Sequence, residues 1–509
     1  MSEPKIYLDD LAVPRTAVMQ RATRAARGLD ALGVREGDCV ALLLRNDFPF
    51  FEVQQAAALV GAYSVAINWH GKSEEVRYIL EDSRPKVLIA HTDLLLPLRG
   101  KLSPDLQVLV VPTPPALQQS FRIEPKAAVP HAGDQVWMDW ADAYEPWDGP
   151  PRRARATMIY TSGTTGHPKA VQREAATPEQ AEAYGELMRC VYGTRPGMRA
   201  LIGGPLYHAS PNAYGRQALP VAELIVMQSK FDPEATLAAI AKHGITHAVM
   251  VPTMFVRLLK LPPVVRARYD VSSLQWVTHT GAPCPAEVKK ALMEWWGPLV
   301  YETYGGSEVG TATLATPEDW LAHPGSVGVP TPGTQLAFYG EDGRRLPDGE
   351  VGEIYMRVPA YADFTYLNNP EKRRAVERDG LISCGDVGYL KDGRLYLCDR
   401  RSDMVISAGV NIYPAEIEMV LLQCPGVQDC AVFGIPNEEF GESLCAAVQP
   451  LPDADLSPEL VKAFVGERLA RYKVPSRVDF HASLPREESG KIFKRRLRDP
   501  YWQATGRHI

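Results

Sequence analysis

Short apolar segments alternate with segments of helical periodicity along the first half of the chain. Apolar residues at helical spacing over 16–32 predict a helix that ends before Gly33, and the apolar run 39–44 predicts a strand. A helix over 50–59 and a second apolar run over 62–67 repeat the pattern. Strands that alternate with helices are typical of βαβ units, so the sequence predicts an α/β fold with a largely parallel sheet.

The pattern changes towards the C-terminus. Residues 112–155 are rich in Pro, Gly and isolated aromatics and predict loops and short connections. Residues 334–397 form short β-type runs separated by Asp-Gly turns, which are hairpin signals. The charged, turn-like stretch 399–403 separates these runs from a final mixed block. We therefore predict a large N-terminal body of βαβ-layered sheets with a β-rich subdomain over residues 1–400, and a small α+β C-terminal domain over residues 401–509.

Composition excludes several classes of protein. The chain has 509 residues, and its net charge of −6 lacks the basic excess of a nucleic-acid-binding protein. The longest apolar stretch, 56–69, is interrupted by polar residues and is too short for a membrane span. The N-terminal residues do not resemble a signal peptide and the eight cysteines form no CxxC pair, so we expect reduced thiols in a cytoplasmic protein.

A loop rich in glycine and hydroxyl residues follows the strand predicted over 156–161. Its candidate anion-binding residues are Thr161, Ser162, Gly163, Thr164, Thr165, Gly166 and Lys169. Glycines let backbone N–H groups turn towards an anion, while the hydroxyls and the lysine add donors and positive charge, so the loop is a candidate phosphate site. It is not a Walker A loop, which requires Gly-Lys-Ser/Thr after a four-residue spacer. A plain surface turn is the alternative.

This loop resembles the signature loop of the adenylate-forming enzymes, which include acyl-CoA synthetases, firefly-type luciferases and peptide-synthetase adenylation domains. The resemblance extends over nearly the whole chain, because further motifs follow in the family's order. It implies that ATP and CoA are co-substrates and that Mg²⁺ accompanies ATP. It further implies that Glu308 and Thr161 lie at the metal.

The segment 301–308 resembles the family's nucleotide motif. The resemblance implies that Tyr304 packs on adenine, that Ser307 touches the α-phosphate and that Glu308 helps to hold Mg²⁺. Ser307 replaces the usual Thr but keeps its oxygen. The other residues that the resemblance assigns to the nucleotide here are Glu302 and Thr303 in this motif, and Gly281 and Ala282 in an upstream backbone turn. Taken alone, that turn is equally typical of plain structure.

Three downstream stretches resemble the ribose site, the hinge and a mobile loop of the family. Asp386 matches the carboxylate that binds the ribose hydroxyls, although Cys384 replaces the Thr of that motif. Arg400, a nucleotide-binding residue by resemblance, lies in a stretch similar to the hinge, with Ser402 at the usual Asp or Lys position. Gly409 lies in a stretch similar to the loop that lines the pantetheine tunnel during thioester formation.

A C-terminal segment resembles the motif of the adenylation lysine, which implies a catalytic role for Lys491. By itself, a Gly-Lys in a basic tail is usually a solvated surface. That interpretation is kept for Lys494, Arg495 and Arg496, with contact to a CoA phosphate as the alternative. The resemblance also implies that the small domain is mobile and rotates about residues 399–403 between two half-reactions.

The acyl site is less sharply defined. The segment around His208 resembles the part of the family that gates the acyl pocket, and a catalytic role for His208 in thiol approach is weighed against a packed histidine. His279 is a candidate for narrowing or polarising the same site. No Arg or Lys is clearly placed to pair with a second carboxylate, so an apolar fatty, aryl or alicyclic monocarboxylic acid is favoured.

The motifs together predict an ATP-dependent carboxylate–CoA ligase, which forms an acyl-adenylate and then an acyl-CoA. A stand-alone enzyme that loads a carrier protein's phosphopantetheine is the first alternative. A luciferase-like oxygenase and a non-catalytic nucleotide sensor are the others. The expected partners are a small carboxylic acid, ATP and CoA, with no nucleic acid and no transmembrane segment. The sequence does not define the oligomeric state, and a homodimer stays open.

Overall fold

The computed structural model describes residues 3–150, 152–161, 168–401, 403–407, 410–486 and 492–503. It is a mixed α/β fold built from several sheets, which confirms the predicted fold class. Every helix among these residues is too short or too polar to cross a membrane.

Most strands are short, and they are spread over the whole chain. In chain order the strands of the described residues are β1 (Lys5–Leu8), β2 (Leu11–Pro14), β3 (Cys39–Leu43), β4 (Tyr63–Ala66), β5 (Val87–His91), β6 (Gln107–Val111), β7 (Met158–Thr161), β8 (Lys169–Arg173), β9 (Arg199–Ile202), β10 (Leu224–Met227), β11 (His247–Met250), β12 (Trp276–His279), β13 (Val300–Gly306), β14 (Gly310–Ala315), β15 (Val329–Pro330), β16 (Gln335–Tyr339), β17 (Arg345–Leu346), β18 (Gly352–Arg357), β19 (Phe364–Tyr366), β20 (Glu377–Arg378), β21 (Leu381–Lys391), β22 (Arg394–Arg400), β23 (Val405–Ser407), β24 (Val410–Ile412), β25 (Val427–Asn437), β26 (Gly441–Pro450) and β27 (Arg477–Phe480).

Helices lie between most of these strands up to α12. In chain order the α-helices of the described residues are α1 (Arg15–Ala31), α2 (Phe48–Leu59), α3 (Ser73–Ser83), α4 (Thr92–Leu95), α5 (Pro115–Phe121), α6 (Trp137–Asp142), α7 (Pro178–Tyr192), α8 (Ala209–Val221), α9 (Pro233–His243), α10 (Pro252–Leu259), α11 (Pro263–Arg266), α12 (Ala286–Trp296), α13 (Pro317–Ala322), α14 (Pro370–Ala375), α15 (Pro414–Leu421), α16 (Pro458–Gly466) and α17 (Lys494–Gln503). Short 3-10 helices lie at Leu96–Leu98, Pro125–Ala127 and Arg471–Lys473.

The strands form four sheets. Sheet 1 has the order β15-β14-β13-β12-β11-β9-β10-β1-β2, sheet 2 β17-β16-β18-β21-β20 with β22 beside β21, sheet 3 β19-β8-β7-β4-β3-β5-β6, and sheet 4 β24-β23-β26-β25 with β27 beside β26. Sheets 1 and 3 are parallel in their interiors and antiparallel at edges such as β13–β14 and β7–β8. The carboxyl ends of parallel strands share one edge of a sheet, and the loops there carry the candidate site.

The predicted helices and strands of the first half agree with the structure. The helix predicted over 16–32 is α1 and the strand over 39–44 is β3, each displaced by at most one residue at either end. Residues 112–155 contain more regular structure than predicted, because α5 and α6 form there. The Trp137 side chain of α6 is fully buried, and its indole N–H donates to the Glu52 carboxylate at 2.7 Å. A helix of six residues is too short for its periodicity to be recognised in the sequence.

The stretch predicted as a turn over 399–403 is partly strand. β22 continues through Asp399 and Arg400, which pair with Val387 and Asp386 of β21. The turn starts after Arg400, whose carbonyl oxygen accepts a hydrogen bond from the Asp403 amide at 3.0 Å. The prediction was wrong for the first two residues because cross-strand pairing cannot be recognised from a charged local sequence.

An ion pair anchors the C-terminal helix α17 to α15. Lys494 Nζ lies 2.8 Å from Glu418 Oε1, and the two side chains are only 17% and 19% exposed. The same carboxylate accepts a hydrogen bond from the Val432 amide at 2.6 Å. The expectation of a solvated Lys494 is therefore wrong, whereas Arg495 and Arg496 are exposed as expected.

We expect Lys494→Met to lower the free energy of unfolding of this part of the chain by about 1–3 kcal/mol, because it leaves a largely enclosed carboxylate without its cation. Urea unfolding followed by tryptophan fluorescence measures the effect. Arg495→Met is the matched control, because Arg495 pairs with Asp499 on the surface of the same helix and such pairs contribute about 0–1 kcal/mol. Equal destabilisation by both variants would contradict the anchoring role.

Candidate active site

Tyr304, near the end of β13, joins sheet 1 to sheet 2. Its side chain is buried, and its hydroxyl donates to Asp386 Oδ2 on β21 at 2.8 Å. Arg400 Nε on β22 lies 3.3 Å from the other carboxylate oxygen of Asp386. Burial and the neighbouring Asp386 carboxylate raise the pKa of Tyr304 well above its ordinary value, so the hydroxyl stays protonated and donates. The structure thus brings together three predicted residues that come from three separate motifs.

Glu308 lies in the turn between β13 and β14. Its Oε1 accepts a hydrogen bond from the Tyr366 hydroxyl of β19 at 2.9 Å. Lys169 Nζ, at the start of β8, lies 4.5 Å from the centre of the same tyrosine ring. Burial lowers the pKa of Lys169, although the Glu308 carboxylate acts in the opposite direction. The Glu308 carboxylate and the Lys169 ammonium, which were predicted from different motifs, therefore both contact the Tyr366 side chain.

Arg173, at the end of β8, binds the main chain of the same turn. Its Nη2 donates to the carbonyl oxygens of Ser307 at 2.8 Å and Glu308 at 3.0 Å, and its Nη1 donates to that of Ala362 at 2.8 Å. The guanidinium also lies 4.9 Å from the centre of the Tyr361 ring. The planar fork of Arg suits two neighbouring acceptors. Arg173 therefore ties the turn that carries Glu308 to sheet 3.

A close approach brings this turn onto β21. The register of β13 against β14 shifts after Tyr304, which marks a bulge. A Cβ atom at Gly306 would lie 2.6 Å from the Cys384 sulfur, closer than real Cβ contacts. Glycine at 306 therefore permits a contact between the two segments that a larger residue would prevent.

The predicted backbone turn at Gly281 and Ala282 lies beside the nucleotide motif. Gly281 has a φ of 87°, in the left-handed region that glycine favours. The preceding Thr280 donates its hydroxyl to the carbonyl oxygen of Thr303 at 2.9 Å. Turn and motif therefore meet at the edge of sheet 1 where β12 and β13 end.

Glu302 takes part in a buried ion pair. Its carboxylate lies 2.8 Å from Lys289 Nζ of α12 and 3.4 Å from His279 Nε2 of β12. Lys289 and His279 are fully buried. Burial alone would raise the pKa of Glu302, but the attraction of His279 and Lys289 outweighs it and lowers this pKa to about 2. The contacts of Glu302 thus differ from those expected of a nucleotide-binding side chain, and His279 packs against Phe255 in the interior.

Part of the predicted site lies outside the described residues, namely Ser162, Gly163, Thr164, Thr165, Gly166, Ser402, Gly409 and Lys491. The two ends of the phosphate loop are described. Thr161 and Lys169 face each other across the β7–β8 pair, and the Thr161 hydroxyl lies 3.4 Å from the Lys169 carbonyl oxygen. Both residues therefore belong to the base of the loop.

Glu308 can supply the carboxylate of a nucleotide-bound Mg²⁺. Such an ion usually takes one or two carboxylates together with phosphate oxygens and water. The Tyr366 hydroxyl donates to one carboxylate oxygen of Glu308. The other oxygen lies 3.4 Å from the position that a Cβ atom of residue 306 would occupy. Because residue 306 is glycine, space is left beside that second oxygen. Within the described ranges, no group of three or more His, Cys, Asp or Glu side chains could hold a metal by itself. The residues present fit an ion that ATP brings with it.

His208 lies beside an aromatic cluster. It is the residue that precedes α8, and its ring centre lies 4.2 Å from that of Tyr207. The Tyr207 ring in turn packs edge-on against Trp69 at 6.1 Å. The catalytic role of His208 stays a prediction.

Three functional candidates escaped the sequence analysis. Tyr366 lies in a strand of three residues and Arg173 at the polar end of another, so neither belongs to a recognisable pattern. Lys289 could have been found, because it occupies the buried face of α12 together with Leu292 and Trp296, where helical periodicity calls for an apolar residue.

Comparison with protein families gives two matches. Residues 16–363 match the model of the AMP-binding enzyme family, and residues 416–491 match that of the AMP-binding enzyme C-terminal domain.

Individual proteins are similar over nearly the whole chain. A feruloyl-CoA synthase of Amycolatopsis sp is 34% identical over 502 residues, which cover 96% of this chain and 94% of that protein. The fatty acid–[acyl-carrier-protein] ligase ScoC of Streptomyces coeruleorubidus is 30% identical over 518 residues, which cover 99% and 95%. The crystal structure of the anthranilate CoA ligase AuaEII in complex with anthranoyl-AMP superposes with a TM-score of 0.85 at 25% identity, over 99% of this chain and 95% of that one.

The ion pair of Glu302 predicts a pH dependence. Because folding lowers this pKa from 4.5 to about 2, the carboxylate contributes stability above pH 4.5 that is lost as the pH falls towards 2. We therefore expect the wild type to lose its stability advantage over Glu302→Gln progressively between about pH 5 and about pH 2, measured by urea unfolding at each pH. The exposed Glu467 gives a control variant, Glu467→Gln, whose curve should run parallel to the wild type. A pH-independent difference for Glu302→Gln would contradict the ion pair.

Proposed function

Since the chain belongs to the AMP-binding enzyme family, we propose that it is an ATP-dependent carboxylate–CoA ligase. It forms an acyl-adenylate with release of pyrophosphate, and then transfers the acyl group to the thiol of CoA with release of AMP. The observation that carries this proposal is the set of contacts made by the two ends of the segment Tyr304–Glu308. One end of it contacts Asp386, which pairs with Arg400, and the other contacts Tyr366, which lies against Lys169.

In the first half-reaction the carboxylate attacks the α-phosphate and pyrophosphate leaves. Two anions must approach each other, so positioned positive charge and hydrogen-bond donors dominate the catalysis. Lys169 and the donors of the phosphate loop hold the phosphates, and Lys491 provides the catalytic cation at the reacting oxygens. When bound beside Glu308, Mg²⁺ supplies charge that neutralises the phosphates. Asp386 and Arg400 orient the ribose, with Tyr304 against adenine.

The second half-reaction requires a different set of groups at the same site. We propose that residues 401–509 rotate about the stretch 399–403, with Ser402 as the pivot, so that Lys491 withdraws. The loop at Gly409 then lines the path of the thiol, and His208 assists its approach. Such alternation lets one nucleotide site serve two reactions.

The substrate is proposed to be an apolar monocarboxylic acid, fatty, aryl or alicyclic. The relatives named above include a feruloyl-CoA synthase and an anthranilate CoA ligase, which support an aryl acid. The buried Lys289 is paired with Glu302, so it does not offer a free cation for a second carboxylate. This supports a preference for monocarboxylic acids.

A carrier-protein acceptor is the second candidate. The similarity to a fatty acid–[acyl-carrier-protein] ligase favours it. In that case the adenylation chemistry is the same, and the thiol belongs to the phosphopantetheine of a separate protein instead of free CoA.

We expect the purified protein, with ATP and Mg²⁺, to release pyrophosphate in the presence of apolar monocarboxylic acids and to form acyl-CoA and AMP when free CoA is added. A panel of fatty, aryl and alicyclic acids, with malonate as the dicarboxylic control, measures both products. Pyrophosphate release without acyl-CoA would favour the carrier-protein acceptor. No turnover with any acid would contradict the ligase proposal and favour a nucleotide sensor.

We expect Lys491→Ala to lower the rate of adenylation by ~10²–10³, the usual effect of removing one pre-organised charge. Thioester formation from a supplied acyl-adenylate should stay close to the wild-type rate, because Lys491 is withdrawn in that step. The two half-reactions are measured separately, by pyrophosphate release and by acyl-CoA formation, so each serves as the control of the other. An equal loss in both would be incompatible with alternation.

A further inference from the structure

Tyr366 contacts both charges of the phosphate end of the site. Its hydroxyl donates to Glu308 Oε1 at 2.9 Å, while the Lys169 ammonium lies 4.5 Å from the centre of its ring. The side chain is almost completely buried, at 2% exposure. A buried ring has little rotational freedom, so both contacts have a fixed geometry.

The strand that carries Tyr366 is joined to the phosphate loop through β8. In the antiparallel β8–β19 pair, Tyr366 lies opposite Val171 and Phe364 lies opposite Arg173. Arg173 donates to the carbonyl oxygens of Ser307 and Glu308. The same two strands therefore hold Glu308 twice, through the main chain by Arg173 and through the carboxylate by Tyr366.

We propose that Tyr366 is a positioning residue, which sets the Glu308 carboxylate and the Lys169 ammonium at a fixed separation before ATP binds, and so raises the affinity for the metal-bound nucleotide. The inference rests on the proposed use of ATP with Mg²⁺. The hydroxyl restrains the carboxylate in one rotamer and the ring restrains the lysine. Residues that orient a metal-binding carboxylate usually alter metal affinity by about 10–100-fold when removed.

The test compares Tyr366→Phe with the wild type by calorimetric binding of α,β-methylene-ATP, in Mg²⁺ and in EDTA, after thermal unfolding has shown that each variant is folded. The phenylalanine keeps the ring under Lys169 and removes only the hydroxyl. We expect its affinity in Mg²⁺ to fall about 10-fold or more, with little change in EDTA. Tyr366→Leu should weaken binding in both conditions, because the lysine also loses its support.

Tyr339→Phe is the matched control. Tyr339 lies on β16 of sheet 2 and is also buried. Its hydroxyl likewise donates to a carboxylate, that of Asp379, at 2.5 Å. Loss of the Tyr339 hydroxyl should alter the stability of the protein but leave the ratio of the analogue's affinity in Mg²⁺ to its affinity in EDTA unchanged. In a Glu308→Gln background, Tyr366→Phe should have no further effect on the Mg²⁺ dependence, since both changes remove the same interaction.

The outcomes separate this inference from the proposed function. If the wild type does not bind the analogue, the proposed function and the inference both fail. If the wild type binds it with a strong Mg²⁺ dependence and Tyr366→Phe retains that dependence, only the positioning role of Tyr366 is wrong. If Tyr339→Phe changed the ratio of the affinities in Mg²⁺ and EDTA as much as Tyr366→Phe does, the positioning role of Tyr366 would also be overturned, because a general structural effect would then explain the result.

Discussion

The site depends on the three-residue turn 307–309 between β13 and β14, because side chains of a second sheet bind it. Ser307 and Glu308 lie beyond the end of β13, and their carbonyl oxygens are bound by Arg173 of sheet 3. A second side chain of that sheet, Tyr366, binds the Glu308 carboxylate. Hydrogen bonds to a charged partner are stronger and more directional than neutral ones. Side chains of a different sheet thus help to fix the position of this charged turn.

The segment 304–308 places the two ends of the site next to each other. At one end, Tyr304 contacts Asp386 and through it Arg400, and at the other Glu308 contacts Tyr366. Two residues before this segment, Glu302 forms a buried ion pair with Lys289 of α12. The chain carries a net negative charge, so an anionic substrate is met by local cations and not by a general field.

Much of the fold could be predicted from local patterns. The α1 helix and β3 strand were found because their apolar residues follow the periods of helix and strand. The short helix α6 and the continuation of β22 through Arg400 were missed. Six residues show too little periodicity, and the pairing of β22 with β21 is a property of two segments, not one.

The sequence by itself determined which chemical groups are available and in what order, because motifs such as the loop that ends at Lys169 and the segment around Tyr304 are local in the chain. Only the tertiary structure decided which of these groups meet. Lys169 and Glu308 are 139 positions apart, and the residue between them in space, Tyr366, belongs to no motif that was recognised. Lys494 and Glu302 likewise acquired their ion-pair partners through packing. The physical reason is that the contacts of a side chain depend on burial and on neighbouring elements, which a local sequence does not contain.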